Sequence, residues 1–418
     1  GQQPAEPRFI PTLPTVANYL TLHWCRNKLE KAHQADIAKY LMGVTRICCG
    51  RVIPLLVIIL AVFFEWLRTY PSAFGVIFAV LSPVLEGRLP PLIFGHGKLK
   101  GTPEVPKDMK PLSRPDDELF SSLPGGYKMP LSGLGMCCRY SAYDDVLVRR
   151  TVLWYLLQGG RHIDTAHVYR NHRAVGLGIQ DAINRGVPRS EIFVVTKIFP
   201  PYYGYHSALD IVPTFLEELG LDYIDLVLMH APKMPIARNE CSKSGLSDKE
   251  CRQQTWKALS ELREKGVMRN IGVSNFMIHQ MQELSELGLA PIANNQFQFN
   301  AFVPPAQHKI FDYCMENDIA VTAYYPVGGT MEKAKATNSS TIKYISEKYG
   351  KSSYQVLLRW LVQKGAAVIP GTGNPKHMKD NLDVFSWSIS SEDMTKMDGL
   401  RSTEEAKKFM YIDLNWFS

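Results

Sequence analysis

The sequence predicts a (β/α)8 TIM barrel over residues 125–418, preceded by an N-terminal hydrophobic membrane segment. Three observations lead there. From residue 125 onward, short apolar, β-branched-rich runs alternate strictly with segments of helical period, which argues for a parallel sheet. Eight such units fit into roughly 290 residues, the count and size of a closed barrel. Before residue 90 the chain instead carries two runs that are almost free of polar residues.

Taken in order, the chain divides into a basic region (1–46), a membrane hairpin or transmembrane segment (47–86), a linker (87–124) and the barrel (125–418). Val52 to Phe64 is thirteen apolar residues without a break, and Tyr70 to Leu85 is a second polar-poor run, with Glu65, Trp66 and Arg68 between them. Each falls short of the roughly 20 residues a spanning helix wants. A hairpin dipping into one leaflet and a single span plus an interfacial segment both fit. Arg46 and Arg51 precede the runs and Arg88, Lys98 and Lys100 follow them. The positive-inside tendency then places both ends, and the barrel, on the cytosolic side. The run starts too late for a secretory signal. Cys48 and Cys49 beside it are candidates for acylation. Residues 101–124 are rich in Pro and charge and read as linker.

In the barrel, the strands are expected within Met129–Met136 and at His162–Asp164, Ile192–Thr196, Ile224–Met229, Asn270–Val273, Ile292–Phe297, Ile319–Tyr324 and Ala367–Ile369. Helices are expected at Asp145–Leu157, Asn171–Arg185, Ala208–Leu219, Gln254–Lys265, His279–Leu287, Gln307–Asn317 and Tyr354–Lys364. A doubly wound open sheet is the rival, and the absence of a Gly-rich turn after the first strand speaks against it.

Composition narrows the function. The first 110 residues hold 13 Lys/Arg and 7 Asp/Glu, so they carry nearly all of the net charge of +7. The barrel is close to neutral, with no basic, aromatic-interleaved patch of the kind nucleic acid needs. Eight Cys in 418 residues make no disulfide scaffold and show no zinc-ligand spacing, so free thiols in a reducing compartment and no metal are expected.

In such a barrel chemistry gathers at the C-terminal ends of the strands. There the sequence places Asp164, with Tyr169 in the loop that follows, then Lys197, then His230. A Tyr hydroxyl titrates near 10, too high for an efficient proton relay near neutrality. An adjacent ammonium favours the phenolate, and a carboxylate holds that ammonium charged and oriented. Tyr169 can then protonate a developing alkoxide while His230 orients the carbonyl. Hydride has to come from a cofactor, since side chains cannot supply it.

The motifs carrying these residues resemble the aldo-keto reductase superfamily over residues 125–418. They are Gly160-Arg-His-Ile-Asp-Thr-Ala-His-Val-Tyr-Arg-Asn171 with Val175-Gly176, Val195-Thr-Lys197, Leu221 to His230, Gly272-Val-Ser-Asn-Phe276, Asn295-Gln296, Ala323-Tyr324 and Val368-Ile-Pro370. The resemblance implies NAD(P)H-dependent reduction of an aldehyde or ketone, of the alcohol dehydrogenase or carbonyl reductase type. It implies Tyr169 as proton donor, Asp164 and Lys197 as its tuning pair and His230 as carbonyl orienter. It also implies Ser274, Asn275 and Gln296 on the nicotinamide carboxamide and Tyr324 stacked under the ring. The loop Gly371-Thr372-Gly373, with Asn374 as helix cap and Pro375 as first helical residue, would face the adenosine phosphates, and Asp380 and Asn381 the adenine.

Several positions depart from the family pattern. Gly371, Thr372 and His377 stand where members often carry Lys, Ser and Arg against the 2′-phosphate. Lys376 and Lys379 are the available substitutes, so NADP(H) is favoured and NAD(H) remains open. Met136-Cys137 and Ala231 replace two Trp walls of the substrate mouth, which widens it unless the insert Lys233–Gln254 or the aromatic tail Phe409–Ser418 fills the space. His172 stands where the family often has Glu. The expectation is a membrane-attached carbonyl reductase in contact with membrane lipid, acting on a small-molecule carbonyl, lipid-derived by hypothesis. A cofactor-binding regulatory or scaffold subunit of a membrane complex is the alternative.

Overall fold

The computed structural model describes residues 102–137, 144–233, 239–328, 335–404 and 406–409. The apolar runs at 52–64 and 70–85, Cys48, Cys49 and the tail beyond Phe409 lie outside them. Among the described residues, no helix is long and apolar enough to cross a membrane.

Eight parallel strands follow one another in sequence order: β3 (Leu134–Gly135), β4 (His162–Asp164), β5 (Phe193–Ile198), β6 (Ile224–Met229), β7 (Met268–Ser274), β8 (Asn294–Gln298), β9 (Ala320–Tyr324) and β10 (Ala367–Val368). Closure comes from the first strand meeting the last. Ser132 bridges Val368, and the Gly133 amide donates to the Val368 carbonyl at 2.8 Å. At this seam a Cβ on Gly135 would stand 2.6 Å from the Ile369 carbonyl oxygen, so only glycine lets the two backbones approach. The strands are buried along almost their whole length, as a barrel packed inside and out by side chains requires.

Helices α1 (Asp145–Leu157), α2 (His172–Asn184), α3 (Tyr205–Leu219), α5 (Asp248–Glu264), α6 (Ile278–Ser285), α7 (Pro305–Glu316) and α9 (Ser353–Gln363) alternate with the strands. Six of them begin within about three residues of the expected positions, whereas α5 opens at Asp248, six residues before the expected Gln254. Three of the seven starts are marked by side-chain caps. The Asp144 side chain caps α1, and reciprocal boxes open α5 (Ser247 with Glu250) and α9 (Ser352 with Gln355). The short α4 (Glu240–Lys243), α8 (Ser340–Tyr349) and α11 (Ser391–Gly399) were not anticipated. Nor was an antiparallel hairpin, β1 (Phe120–Ser122) with β2 (Lys128–Pro130). The hairpin places Met129, fully buried, near Asn294 at the start of β8, and so plugs the N-terminal mouth of the barrel.

Residues 102–118, which read as linker, are tied to the outside of the barrel. Trp154 and Arg150 of α1 donate to the carbonyls of Pro103 and Thr102, Arg185 donates to Pro106, and Arg161 holds the Leu112 carbonyl at 3.0 Å.

The expectation of free thiols is overturned. Cys241 in α4 and Cys251 in α5 form a disulfide, both residues are buried, and Cys137 is also disulfide-bonded. Among the described residues Cys314 is the one free thiol. A low cysteine count says how many bridges are possible, not whether two thiols ten positions apart face each other. It therefore gives no argument for a reducing compartment. Closing a loop this short should contribute about 2–3 kcal/mol. Joint Cys241→Ser and Cys251→Ser substitution should lower the melting temperature by several degrees. A thiol reductant should reproduce that loss in the wild-type chain and shift the double variant less, as calorimetry with and without reductant would show.

Candidate functional site

Tyr169 ends a short 3-10 turn (His167–Tyr169) that leaves β4, and Arg170 after it adopts a left-handed conformation with φ 53°. This abrupt turn returns the phenol over the end of the sheet. Asp164 is the last residue of β4 and Lys197 the fifth of β5. The Lys197 ammonium is fully buried, donating to Asp164 Oδ1 at 2.6 Å and to the Thr165 carbonyl at 2.9 Å. It also stands 5.4 Å from the centre of the Tyr169 ring. His230, directly after β6, meets Tyr169 edge-on with ring centres 5.7 Å apart, and Phe199 at 5.8 Å. Carboxylate, ammonium, phenol and imidazole thus come together at the C-terminal end of three adjacent strands.

The neighbouring strands bring the next predicted group together. Ser274 ends β7, and its hydroxyl donates to the Gln296 carbonyl at 2.8 Å. Asn275 follows at φ 64°, a conformation Asn tolerates better than most residues. Its amide donates to the His230 carbonyl at 3.1 Å and accepts the Tyr324 hydroxyl at 2.7 Å. Gln296 of β8 donates to Asp164 Oδ2 at 2.8 Å, so it joins this group to the first.

The sequence profile of the Aldo/keto reductase family matches residues 133–402. The chain belongs to this family. It is 35% identical over 280 residues to a 9,11-endoperoxide prostaglandin H2 reductase of Trypanosoma cruzi (strain CL Brener), covering 67% of this chain and 90% of that protein. It is 30% identical over 307 residues to an NADPH-dependent alpha-keto amide reductase of Saccharomyces cerevisiae (strain ATCC 204508 / S288c), covering 71% of this chain and 95% of that one. The crystal structure of a Bombyx mori aldo-keto reductase in complex with NADP superposes with a TM-score of 0.61 at 29% identity, covering 72% of this chain and 99% of that one.

In this aldo-keto reductase the loop after β10 leads into α10 (Pro375–Leu382), with Pro375 first and Asn374 capping the Lys376 amide at 2.9 Å. Gly371 and His377 are exposed, while Thr372, Asp380 and Asn381 are half-buried. Lys376 and Lys379 are exposed on the same short helix. Of the two residues expected at the substrate mouth, Cys137 is half-buried and disulfide-bonded, and Ala231 is buried with its carbonyl accepting the Tyr203 hydroxyl at 2.7 Å.

The wall beside His230 is held from behind by the insert. Asn239 donates to the Pro200 carbonyl at 3.1 Å, Glu240 accepts the Ser207 amide at 2.7 Å, and Thr255 accepts the Gly204 amide at 2.9 Å. Gly204 adopts φ 123°, and a Cβ there would meet the Glu240 carboxylate at 2.6 Å. Phe199 and Asn171 escaped the sequence reading. Phe199 lies two residues beyond Lys197. Asn171 accepts the Thr165 hydroxyl at 2.6 Å and donates to the Met136 carbonyl, bracing the loop that carries Tyr169. Its place inside the Asp164–Asn171 motif was the one signal available.

Burial governs the electrostatics. It pulls the Lys197 ammonium below its ordinary value, against the opposing charge and hydrogen bond of Asp164. Burial, with Lys197 nearby, holds His230 well below the usual imidazole range. It raises the Tyr324 phenol, which stays protonated and able to donate to Asn275. Removing one partner of a buried pair strands the other, at about 3–5 kcal/mol. Lys197→Met should therefore destabilise the fold by about that much, and Lys197→Met with Asp164→Asn should recover most of it. Denaturant titration of the two variants checks this.

Proposed function

We propose that the chain is an NADP(H)-dependent oxidoreductase that reduces an aldehyde or ketone to the alcohol, and runs the reverse oxidation, with its barrel tethered to a membrane. The observation that carries the chemistry is the buried Lys197 ammonium, bonded to Asp164 and close to the Tyr169 ring, with His230 edge-on to that ring.

The donor set at the end of β7 and the middle of β8 suits a nicotinamide. The Ser274 hydroxyl and the Asn275 and Gln296 amides offer donors and acceptors complementary to a carboxamide, with the Tyr324 hydroxyl bonded to Asn275. Backbone amides at the start of α10 suit a phosphate, with Gly371, Thr372 and His377 on that side and Asp380 and Asn381 toward the adenine. Lys376 and Lys379, exposed on α10, are the cations that would pair with a 2′-phosphate. A relative named for NADPH dependence and a similar structure solved with NADP support this choice over NAD(H). When bound, the dinucleotide supplies the hydride.

This chain's residues do the rest. His230, neutral through the physiological range, donates a hydrogen bond to the substrate oxygen and orients the carbonyl. As the carbonyl carbon gains hydride, its oxygen takes the Tyr169 hydroxyl proton, giving C–H and O–H from C=O. The Lys197 ammonium stabilises the phenolate left behind, and Asp164 keeps that ammonium in place. Cys137 and Ala231 border the substrate, where Ala231 leaves room for a bulky carbonyl compound. The two apolar runs at 52–64 and 70–85 support the membrane tether.

Tyr169→Phe should lower kcat for a generic aldehyde by about a hundredfold or more while leaving NADPH affinity unchanged, measured by fluorescence titration. The pH profile should show no acid limb near 6.5, because His230 stays neutral there and keeps its one N–H donor. It should fall on the alkaline side below 10.5, as Lys197 loses its charge earlier than an exposed lysine. Wild-type turnover of no aldehyde or ketone in a broad panel would overturn the reading. The tether is tested separately. The full chain should float with phosphatidylcholine vesicles in a density gradient, and a chain lacking residues 47–86 should remain in the soluble fraction.

A further inference from the structure

One buried titratable cluster lies outside the chemistry above. His172 opens α2, three residues after Tyr169, and is 2% exposed. Its Nδ1 lies 2.7 Å from Glu218 Oε2 near the end of α3, and its Nε2 lies 2.8 Å from the Thr196 hydroxyl. A carboxylate only accepts, so Nδ1 carries a proton. A threonine hydroxyl can donate or accept, so both bonds survive in either charge state of the ring. The bond to His172 is the leading cause that holds the Glu218 carboxyl below its ordinary value.

Thr196 immediately precedes Lys197. Side chains alternate along a strand, so while Lys197 points to the site, Thr196 points back to the helix layer and His172. On its other side, His172 packs edge-on against Phe215, with ring centres 5.3 Å apart. Phe215 stacks at 4.9 Å on His167, the first residue of the turn that carries Tyr169. The charged and titratable neighbours of the cluster are Glu218, His167, Arg170 and Arg173.

The geometry points to His172 as a positioning residue. It ties the strand of Lys197, through Thr196, to the turn of Tyr169, and so sets the spacing of ammonium and phenol on which the proposed proton transfer rests. Glu218 serves to hold the ring, and Thr196 to register the strand.

The test separates the two bonds in the full chain. His172→Gln reaches the position of Nε2 and keeps the Thr196 contact, whereas His172→Asn reaches that of Nδ1 and keeps only Glu218. With NADPH and a generic aldehyde, His172→Asn should lower kcat about tenfold or more with both KM values within about twofold, and His172→Gln should keep kcat within about threefold. Melting temperatures should fall for both variants alike. Thr196→Val should copy His172→Asn, and combining the two should add little. It also carries the test should His172→Asn fail to fold. The inference is overturned if Thr196→Val turns over at the wild-type rate, or if His172→Gln loses as much kcat as His172→Asn. A wild-type chain inactive on every carbonyl would instead overturn the functional reading itself.

Discussion

The site depends on keeping one ammonium charged where water cannot reach it. Lys197 has no exposed surface, and burying a lone cation costs several kcal/mol even after the protein relaxes. Left to desolvation, it would shed its proton and lose its use as a positive neighbour for a phenol. Asp164 at 2.6 Å and the Thr165 carbonyl at 2.9 Å offset that cost, while Gln296 satisfies the second carboxylate oxygen at 2.8 Å. The strand order provides the arrangement, since β4 and β5 pair with Asp164 opposite Val195, and Lys197, two residues on and facing the same side, reaches back to the carboxylate.

Much of the surrounding structure reads as support for that ion pair. The insert between β6 and β7 presses on the loop after β5 through Asn239, Glu240 and Thr255, and the Cys241–Cys251 bridge locks the insert to itself. That loop carries Phe199, which packs on His230. On the opposite side, the strap at 102–118 is pinned to α1 and to Arg161, just before β4.

The barrel was legible because both of its periods are strong. Ile224–Met229 is apolar except for Asp225, and the Asp145–Leu157 helix has the predicted bounds. The four residues at the strand ends were legible because ionisable side chains there have little structural reason to exist. What escaped had no periodic signal. The β1–β2 hairpin is two runs of three residues, too short to alternate visibly. Cys241 and Cys251 are ordinary until α4 folds back against α5. His172 stood out as a departure, but its partner Glu218 lies 46 positions away on another helix, a pairing only packing can reveal.

Gln296 shows why cofactor binding and chemistry are hard to separate in this architecture. The residue proposed to meet the carboxamide donates to the carboxylate that holds Lys197. Any shift of its amide on loading the site is therefore felt directly at Asp164, across one hydrogen bond and inside a region with little water to screen it. On the other flank, Asn275 links Tyr324 to the backbone of His230. The two groups of residues are one hydrogen-bonded body with two points of contact. A carbonyl entering it would meet a donor set whose orientation had been decided before it arrived, and preorganisation of that kind gives fixed dipoles their advantage over water.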